Sequence, residues 1–378
     1  MRFDSTLGRT VVLAGLTGCA ARASPPSLVP QLPSDQVAVR VYLIGDAGAP
    51  APEGEPVLEA LRRELTETRG ERVVVFLGDN IYPKGMPERG RPTRTEAERR
   101  LAAQIEAVTR SGAVGFFVLG NHDWKGEGDG LAAVTRQEQY IDSAGGGRVS
   151  LEPPAGCPGP RSVDVGRRLR LVLLDTNWWL NPGAFPHASG CPTGSEPEIV
   201  DSLRQAVRSA DDRVVVVAAH HPLTTGGVHG GYFGWEDHVF PLHIVVPWLW
   251  LPLPVLGSLY PTARQHGISR QDVPSVAYQR FIAAVRHAFS DARPELYAAG
   301  HDHNLQVIGD GAATLELVSG AGIYGHSGRV VRVEGSLFAH QASGFARLDI
   351  PFNGRSRLTV LEVNAAGASR EVFSTKLE

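Results

Sequence analysis

The sequence predicts an α/β fold in which buried strands alternate with helices and a strand-rich part ends the chain. From Val37 onward, short apolar runs alternate with amphipathic stretches, which is typical of a largely parallel sheet with helices on its faces. An apolar content of 42% supplies a sizeable core, and 43 Gly and 27 Pro indicate many tight turns and ordered loops. The length of 378 residues fits one domain with insertions.

The first half of the chain contains three predicted strands separated by two predicted helices. The strands are Val37–Ile44, Arg72–Leu77 and Val114–Leu119. The helices run over Pro56–Leu65 and Glu96–Thr109, where apolar residues recur at helical spacing. This order indicates parallel strands joined by crossover helices.

The second half repeats this scheme and then becomes rich in strands. Its predicted helices are Glu196–Ser209 and Ser275–Phe289, and the second has one apolar face. The predicted strands are Leu169–Leu174, Val214–Ala218, Leu296–Ala299, Thr314–Val318, Val330–Val333, Phe345–Ile350 and Leu358–Val363.

The N-terminus has the pattern of an export signal. Arg2 and Arg9 belong to a polar segment, and the apolar stretch 11–16 that follows is too short to span a bilayer. The sequence Leu16-Thr17-Gly18-Cys19 resembles the lipobox of bacterial lipoproteins, in which the Cys becomes acylated after cleavage. We therefore expect Cys19 to carry a lipid that anchors the protein to a membrane of the bacterial cell envelope. A plain signal peptide is the alternative.

These features divide the chain into a signal peptide (1–18), a Pro/Ser-rich tether (19–36) and one main domain (37–378). Ala20 is not the Asp that retains enteric lipoproteins in the inner membrane, so the resemblance implies the outer membrane, facing the periplasm or the cell surface.

Charge and cysteine content narrow the partners and the compartment. Lys plus Arg number 37 against 40 for Asp plus Glu, and the basic residues are scattered, so no nucleic-acid partner is predicted. Cys157 and Cys191 are the two cysteines beyond Cys19, and each lies in a Pro/Gly-rich turn. In an exported chain this pair predicts a disulfide.

Five predicted strands end in residues that bind metal ions. The segments that follow them are Gly45-Asp46, Gly78-Asp79-Asn80-Ile81-Tyr82, Gly120-Asn121-His122-Asp123, Ala219-His220-His221 and Gly300-His301-Asp302-His303. Because the carboxyl ends of parallel strands converge where ligands bind, these side chains meet at one place. Oxygen and imidazole donors favour metal ions over a nucleophile triad.

The motifs GDAG, GDNIY, GNHD, VAAH and GHDH resemble, in order, those of purple acid phosphatases within the calcineurin-like metallophosphoesterases. The similarity extends from about Val37 to Glu378 and is interrupted at about 230–274. It implies a four-layer αββα sandwich of two mixed β-sheets flanked by helices. It also implies an acid phosphatase that hydrolyses phosphate monoesters through a metal-activated hydroxide.

The resemblance assigns the metal ligands by position. Asp46, Tyr82 and His303 would bind iron, Asp79 would bridge, and the divalent partner would be held by Asn121, His220 and His301. A phenol has an unperturbed pKa near ~10, so a Tyr ligand requires a strongly acidic cation, which favours Fe(3+). The second metal is left open as Fe2+, Zn2+ or Mn2+.

Neighbouring residues receive other roles. The resemblance implies that His122 contacts substrate and assists the leaving group, which a protonated imidazole could do, and that His229 lies near the phosphate. His221 is expected to pack or to support a ligand. Asp123 and Asp302 are expected to orient backbone or His groups rather than bind metal.

Several alternatives stay open at this point. The same metal centre could hydrolyse phosphodiesters or nucleotides, and a surface lipoprotein could use the fold for binding alone. The strongly apolar stretch 239–261 could be a loop packed over the core, a lid on the substrate pocket, or an interfacial contact that uses Trp248 and Trp250. Its prolines argue against a membrane-spanning helix. Oligomeric state is not predicted.

Overall fold

A computed structural model describes residues 28–68, 70–125, 130–181, 190–244, 249–253 and 255–377. Two mixed sheets of seven strands each pack face to face, and helices cover their outer faces. The predicted fold class, a four-layer αββα sandwich, is confirmed.

Sheet A joins the start of the chain to its end. In spatial order it contains β14 (Ser369–Lys376), β13 (Arg357–Val363), β12 (Gly344–Pro351), β1 (Val37–Ile44), β2 (Glu71–Phe76), β3 (Val114–Phe117) and β4 (Val149–Leu151). Strands β1 to β4 are parallel, whereas β12 to β14 form an antiparallel extension beside β1.

Sheet B is formed by the middle of the chain. In spatial order it contains β11 (Ser336–His340), β9 (Leu305–Gly309), β10 (Leu315–Ser319), β8 (Leu296–Ala299), β7 (Val214–Ala218), β6 (Leu169–Leu173) and β5 (Arg161–Val165). Strands β6, β7, β8 and β10 are parallel, and β5, β9 and β11 are antiparallel to their neighbours.

Helices cover both sheets. Sheet A packs against α1 (Pro56–Glu67), α2 (Arg94–Thr109) and α3 (Gly130–Ala144). Sheet B packs against α4 (Asn177–Leu180), α5 (Glu196–Arg208) and α8 (Val276–Ala288), while α6 (Trp235–Val239) and α7 (Leu259–Gln265) lie in the interrupted region 230–274. Among the helices of the described residues, none is both long enough and apolar enough to cross a bilayer.

Successive side chains of a central strand point to opposite faces of the sheet, and both faces are covered, which explains why most residues of these strands are apolar. In β1, Val41 and Leu43 face the core between the sheets, whereas Tyr42 and Ile44 face the helices outside sheet A. Both faces of a central strand are therefore buried, so its sequence shows no polar positions of period two.

The strand predicted at Val330–Val333 is wrong, because the strand of this region is β11, Ser336–His340. The backbone N–H of Val331 donates to the carbonyl of Gly226, at 2.9 Å, so this segment pairs with a loop instead of the sheet. Strand β11 lies at the edge of sheet B and buries only Phe338, which leaves a weak apolar signal.

The end of the predicted tether is bound to sheet A. The Val29 N–H donates to Ser374 Oγ at 2.7 Å, and the Val29 carbonyl accepts from Arg357 Nη2 at 2.8 Å. Arg357 is only 1% exposed, and the backbone oxygen helps to satisfy its charge. The predicted signal peptide and Cys19 lie outside the described residues.

A disulfide joins Cys157 and Cys191, the pair that the sequence put forward, with their Cα atoms 5.5 Å apart. It connects the turn between β4 and β5 to the segment that precedes α5.

Candidate metal centre

Strand ends from both sheets meet at one place. Sheet A supplies the residues after β1, β2 and β3, and sheet B supplies those after β7 and β8. The predicted ligands that directly follow these ends are each at most 7% exposed: Asp46, Asp79, Asn121, His220 and His301. The two sheets therefore build one shared centre.

Left-handed backbone turns several of these side chains inward. The φ angles of Asp46, Asp79 and His301 are 57°, 54° and 70°. For a residue with a Cβ atom this conformation costs roughly 1–2 kcal/mol, so it persists only where the surroundings impose it.

Two glycines allow the strand ends to approach each other. A Cβ atom on Gly120 would lie 2.2 Å from both the backbone N and Oδ1 of Asp79, and one on Gly300 would lie 2.5 Å from Asp46 Oδ2. The Gly that precedes a ligand in these motifs is therefore a requirement of close packing around the carboxylates.

Asp46, Tyr82 and His303 form the first donor group. The Tyr82 hydroxyl donates to Asp46 Oδ1 at 2.8 Å and lies 3.0 Å from His303 Nε2. Burial, together with the charges of Asp46 and Asp79, raises the pKa of Tyr82 well above its ordinary value. Without a cation the phenol therefore stays protonated.

Asn121, His220 and His301 form the second donor group. Oδ1 of Asn121 lies 3.1 Å from His220 Nε2, which in turn lies 3.3 Å from His301 Nδ1. The other nitrogen of each ring donates to a carbonyl, Leu77 O for His220 and Gln271 O for His301, each at 2.8 Å. Because a carbonyl only accepts, each ring carries a proton on the nitrogen that contacts the carbonyl, and the other two ring nitrogens face one another.

Asp79 lies between the two groups. Its Oδ1 atom accepts from the His122 N–H at 2.8 Å and is 3.5 Å from His220 Nε2. Burial raises the pKa of Asp79, but the electrostatic effects of the nearby His220 and His122 side chains and hydrogen bonds from the His122 N–H and the Tyr82 hydroxyl outweigh it and lower the pKa to about 2. The carboxylate is therefore ionised and contacts both groups.

The donor set fits metal ions. Buried carboxylate, amide and imidazole acceptors face each other at short distances, an arrangement that is costly unless a cation lies among them. Ligand atoms of Asp46, Asp79 and His220 all lie within 4.8 Å of one another. The two groups, joined by Asp79, match what a pair of cations requires.

His221 belongs to the same imidazole cluster but is engaged elsewhere. It lies with His220 and His301 in a geometric group that could hold metal. Its Nδ1 is 2.7 Å from Thr176 Oγ1, and its Nε2 is 2.7 Å from Gln271 Oε1. Burial lowers its pKa well below the ordinary value, so the ring is neutral and supports its neighbours.

Asp123 fixes the loops that carry the ligands. Its carboxylate accepts from the backbone N–H groups of Gly120, Asn80 and Ile81 at 2.8, 3.0 and 3.1 Å. Burial and the charge of Asp79 raise its pKa to about 7. Asp302 similarly accepts from the Thr225 hydroxyl, so both acids orient their neighbours as expected.

His122 differs from its expected protonation state. Its Nδ1 donates to the Pro83 carbonyl at 2.8 Å, and its Nε2 accepts from Lys125 Nζ at 3.1 Å. Burial lowers its pKa, and the Lys125 charge adds to this effect against the opposing effect of Asp79. Burial, with the adjacent Lys125 cation, therefore favours the neutral ring.

His229 lies against the second donor group. Its ring centroid is 3.8 Å from that of His301, and its Nδ1 donates to Asp272 Oδ1 at 2.8 Å. Arg264 binds the same carboxylate through Nε at 2.7 Å. Nothing in the local sequence pattern marks Arg264, Asp272, Gln271 and Lys125, so these residues were not predicted.

A cavity of about 350 Å³ opens over the donor groups. Side chains around the metal centre line one side of it: Asp79, Asn121, His122, Lys125, His229, His301 and His303. The region 230–274 supplies the remaining wall with Tyr260, Arg264, Ile268, Ser269 and Gln271. Part of this region therefore borders the site, as a wall of the pocket.

Comparison with known proteins agrees with this geometry. Residues 39–248 match the family model of the calcineurin-like phosphoesterases. No match to a curated protein sequence was found.

Solved structures share the fold at low identity. GAP50, the anchor in the inner membrane complex of Plasmodium, has a TM-score of 0.55 and 16% identity, over 90% of this chain and 89% of that chain. Purple acid phosphatase PPD1 from yellow lupin (Lupinus luteus) seeds has a TM-score of 0.53 and 16% identity, over 91% of this chain and 55% of that chain. PhoD has a TM-score of 0.53 and 11% identity, over 94% of this chain and 71% of that chain.

Proposed function

The chain belongs to the calcineurin-like phosphoesterase family, and on that basis we propose that it is a dinuclear-metal acid phosphatase that hydrolyses phosphate monoesters. One observation carries the proposal: the predicted ligands form two donor groups, and the ionised Asp79 contacts both.

The proposed metals follow from the chemistry of each group. Asp46, Tyr82 and His303 would hold Fe(3+), since a phenol kept protonated by burial ionises only beside a strongly acidic cation. Asn121, His220 and His301 would hold a divalent ion. Bound cations in such a pair neutralise charge on the phosphoryl oxygens and acidify a water molecule.

Lys125 and His122 would serve the leaving group. The Lys125 ammonium donates to His122 Nε2, and both side chains line the cavity. A proton on this pair can pass to the departing oxygen, and positioned proton donors contribute roughly 10²–10⁴-fold to rates.

Charge favours monoesters over diesters. A phosphate monoester can carry two negative charges, whereas a diester carries one, and Lys125 adds a cationic side chain to the cavity. A ratio of kcat/KM for 4-nitrophenyl phosphate to that for bis(4-nitrophenyl) phosphate above about ten supports the proposal. A reversed ratio establishes the phosphodiesterase alternative, and a metal-loaded protein inert on both esters and on nucleotides contradicts catalysis.

We also propose that the protein is a lipoprotein of the bacterial envelope. The lipobox-like sequence that ends at Cys19 supports this. In a bacterial host, labelled palmitate should be incorporated and the protein should fractionate with membranes. Both results should be lost in Cys19→Ser, and labelling that persists in this variant contradicts the proposal.

A further inference from the structure

The wall that faces the metal centre is partly apolar. Tyr260 and Ile268 line the cavity, and they remain 41% and 75% exposed. Large apolar side chains left in water beside a site of charged and polar groups mark a binding surface. Resting on the function proposed above, we propose that the substrates are amphiphilic phosphate monoesters whose apolar group lies on this wall.

The wall is fixed in place by a buried ion pair. Arg264, in α7, binds Asp272 through Nε at 2.7 Å, and both side chains are at most 10% exposed. The Arg264 guanidinium also lies 5.7 Å from the Tyr260 ring centroid and 5.3 Å from that of Phe233. Because Asp272 also accepts from His229, one ion pair positions both the apolar wall and an imidazole beside the second donor group.

The apolar surface continues beyond the cavity. Leu259 directly precedes Tyr260 in α7 and is 67% exposed, and Leu256 in the preceding turn is 66% exposed. These exposed side chains add apolar area in the same segment, which is available to an alkyl chain longer than the cavity.

The position of the N-terminal segment favours a substrate over a bilayer as the occupant. Val29 is bonded to Arg357, which opens β13, and β13 pairs through β12 with the early part of β1. The metal centre follows the other end of β1. Val29, at the start of the described chain, is therefore bound away from the wall, which leaves the wall beside the cavity to the substrate.

The test is direct binding of alkylphosphonates, which are not hydrolysed. Isothermal titration calorimetry of the metal-loaded protein should show octylphosphonate binding at least about tenfold tighter than methylphosphonate, since each methylene on a one-sided wall contributes roughly twofold. Ile268→Ser should reduce this ratio to about threefold or less, and Leu259→Ser should reduce it by a smaller factor. Both side chains are mostly exposed, so folding is preserved.

Phe352→Ser is the matched control, because Phe352 is an exposed apolar residue whose N–H bonds Gln36 O just before β1, at the opposite end of sheet A. Its ratio should equal that of the wild type. A wild-type affinity ratio of octylphosphonate to methylphosphonate near one overturns the proposal. A ratio that both Ile268→Ser and Leu259→Ser leave unchanged also overturns it.

Two other occupants give distinct results. If the wall variants leave the ratio unchanged but weaken binding to phosphatidylglycerol vesicles, the surface contacts membranes and the proposal is wrong. If they leave the ratio unchanged but shift the mass in sedimentation, the surface joins two copies and the proposal is equally wrong. The proposed function is tested separately, because phosphonate binding needs no turnover. Failure of the metal-loaded protein to hydrolyse any phosphate ester would contradict that function.

Discussion

His220 Nε2 lies 3.1 Å from Asn121 Oδ1, and with the ring proton on Nδ1 both of these atoms are acceptors. The proton of the His220 ring is on Nδ1, where it bonds the Leu77 carbonyl of the neighbouring sheet. Two acceptors that face each other in a buried site repel unless a cation lies between them.

Removal of Asn121 should therefore cost one metal ion. In Asn121→Ala we expect the metal content after dialysis to fall from about two ions per chain to about one, measured by plasma mass spectrometry. His340→Ala, which removes a histidine of the edge strand β11, should retain both ions. Two tightly held ions in Asn121→Ala would contradict the assignment of this group.

Tyr82 should determine the colour of the protein. If its oxygen binds Fe(3+), the purified protein shows a visible charge-transfer band that Tyr82→Phe abolishes, because the tyrosinate that donates the charge is missing. The measurement is a visible spectrum together with iron analysis. Tyr260→Phe, which alters a tyrosine of the cavity over the donor groups, should keep the band. A band that survives in Tyr82→Phe rejects the ligand assignment.

His122 and Lys125 should matter most when the leaving group is poor. We expect His122→Ala and Lys125→Met to lower kcat for alkyl phosphates by about 100-fold and that for 4-nitrophenyl phosphate by less than about tenfold, since a nitrophenolate leaves without a proton. Lys84→Met removes an exposed cation near Tyr82 and should not change either rate. Equal losses on both substrates would exclude proton donation by this pair.

Glu371 should stabilise the fold through Arg357. The two side chains pair at 2.8 Å, and Glu371→Gln leaves a buried guanidinium with weaker partners. We expect a loss of about 2 kcal/mol in the free energy of unfolding, measured with urea. Glu362→Gln removes a pair with Arg370, which is 75% exposed, and should cost less than about 0.5 kcal/mol. Equal losses of unfolding free energy in the two variants would contradict the view that burial makes the Arg357–Glu371 pair the more important one.

The ion pair between Arg357 and Glu371 should also make the free energy of unfolding depend on pH. Burial raises the pKa of Glu371, but Arg357 and Arg347 outweigh it, so the folded-state pKa lies below the ordinary value. The stabilisation is therefore complete above the unfolded-state pKa and is lost as the pH falls through the folded-state pKa. In urea unfolding, the difference between wild type and Glu371→Gln should shrink toward pH 3, and a constant difference would exclude this linkage.

The central strands could be predicted from the sequence because they are buried on both faces. Strands β1, β7 and β8 have the predicted bounds, and apart from Arg40 in β1 their residues are apolar. The edge strand β11 was missed, since only Phe338 is buried and the more apolar residues 330–333 lie against a loop.

The predicted ligands could be found because each lies within a few residues of an apolar strand. Lys125, Arg264 and Gln271 could not, because their roles depend on contacts formed in the folded chain. Arg264, for example, acts on the surroundings of His229, 35 residues earlier in the chain. The neutral state of His122 also depends on such a contact, the one with Lys125.

The centre takes its donors from both sheets, with Asp46, Asp79 and Asn121 on sheet A and His220 and His301 on sheet B. Neither half of the chain can assemble it alone, and both predicted groups span the junction, since Tyr82 lies beside His303 and Asn121 lies beside His220. Tight metal uptake therefore reports that the two halves have docked correctly. A chain that misfolds at the junction would be metal-poor, so under the proposed function hydrolytic activity is confined to molecules whose folding is complete.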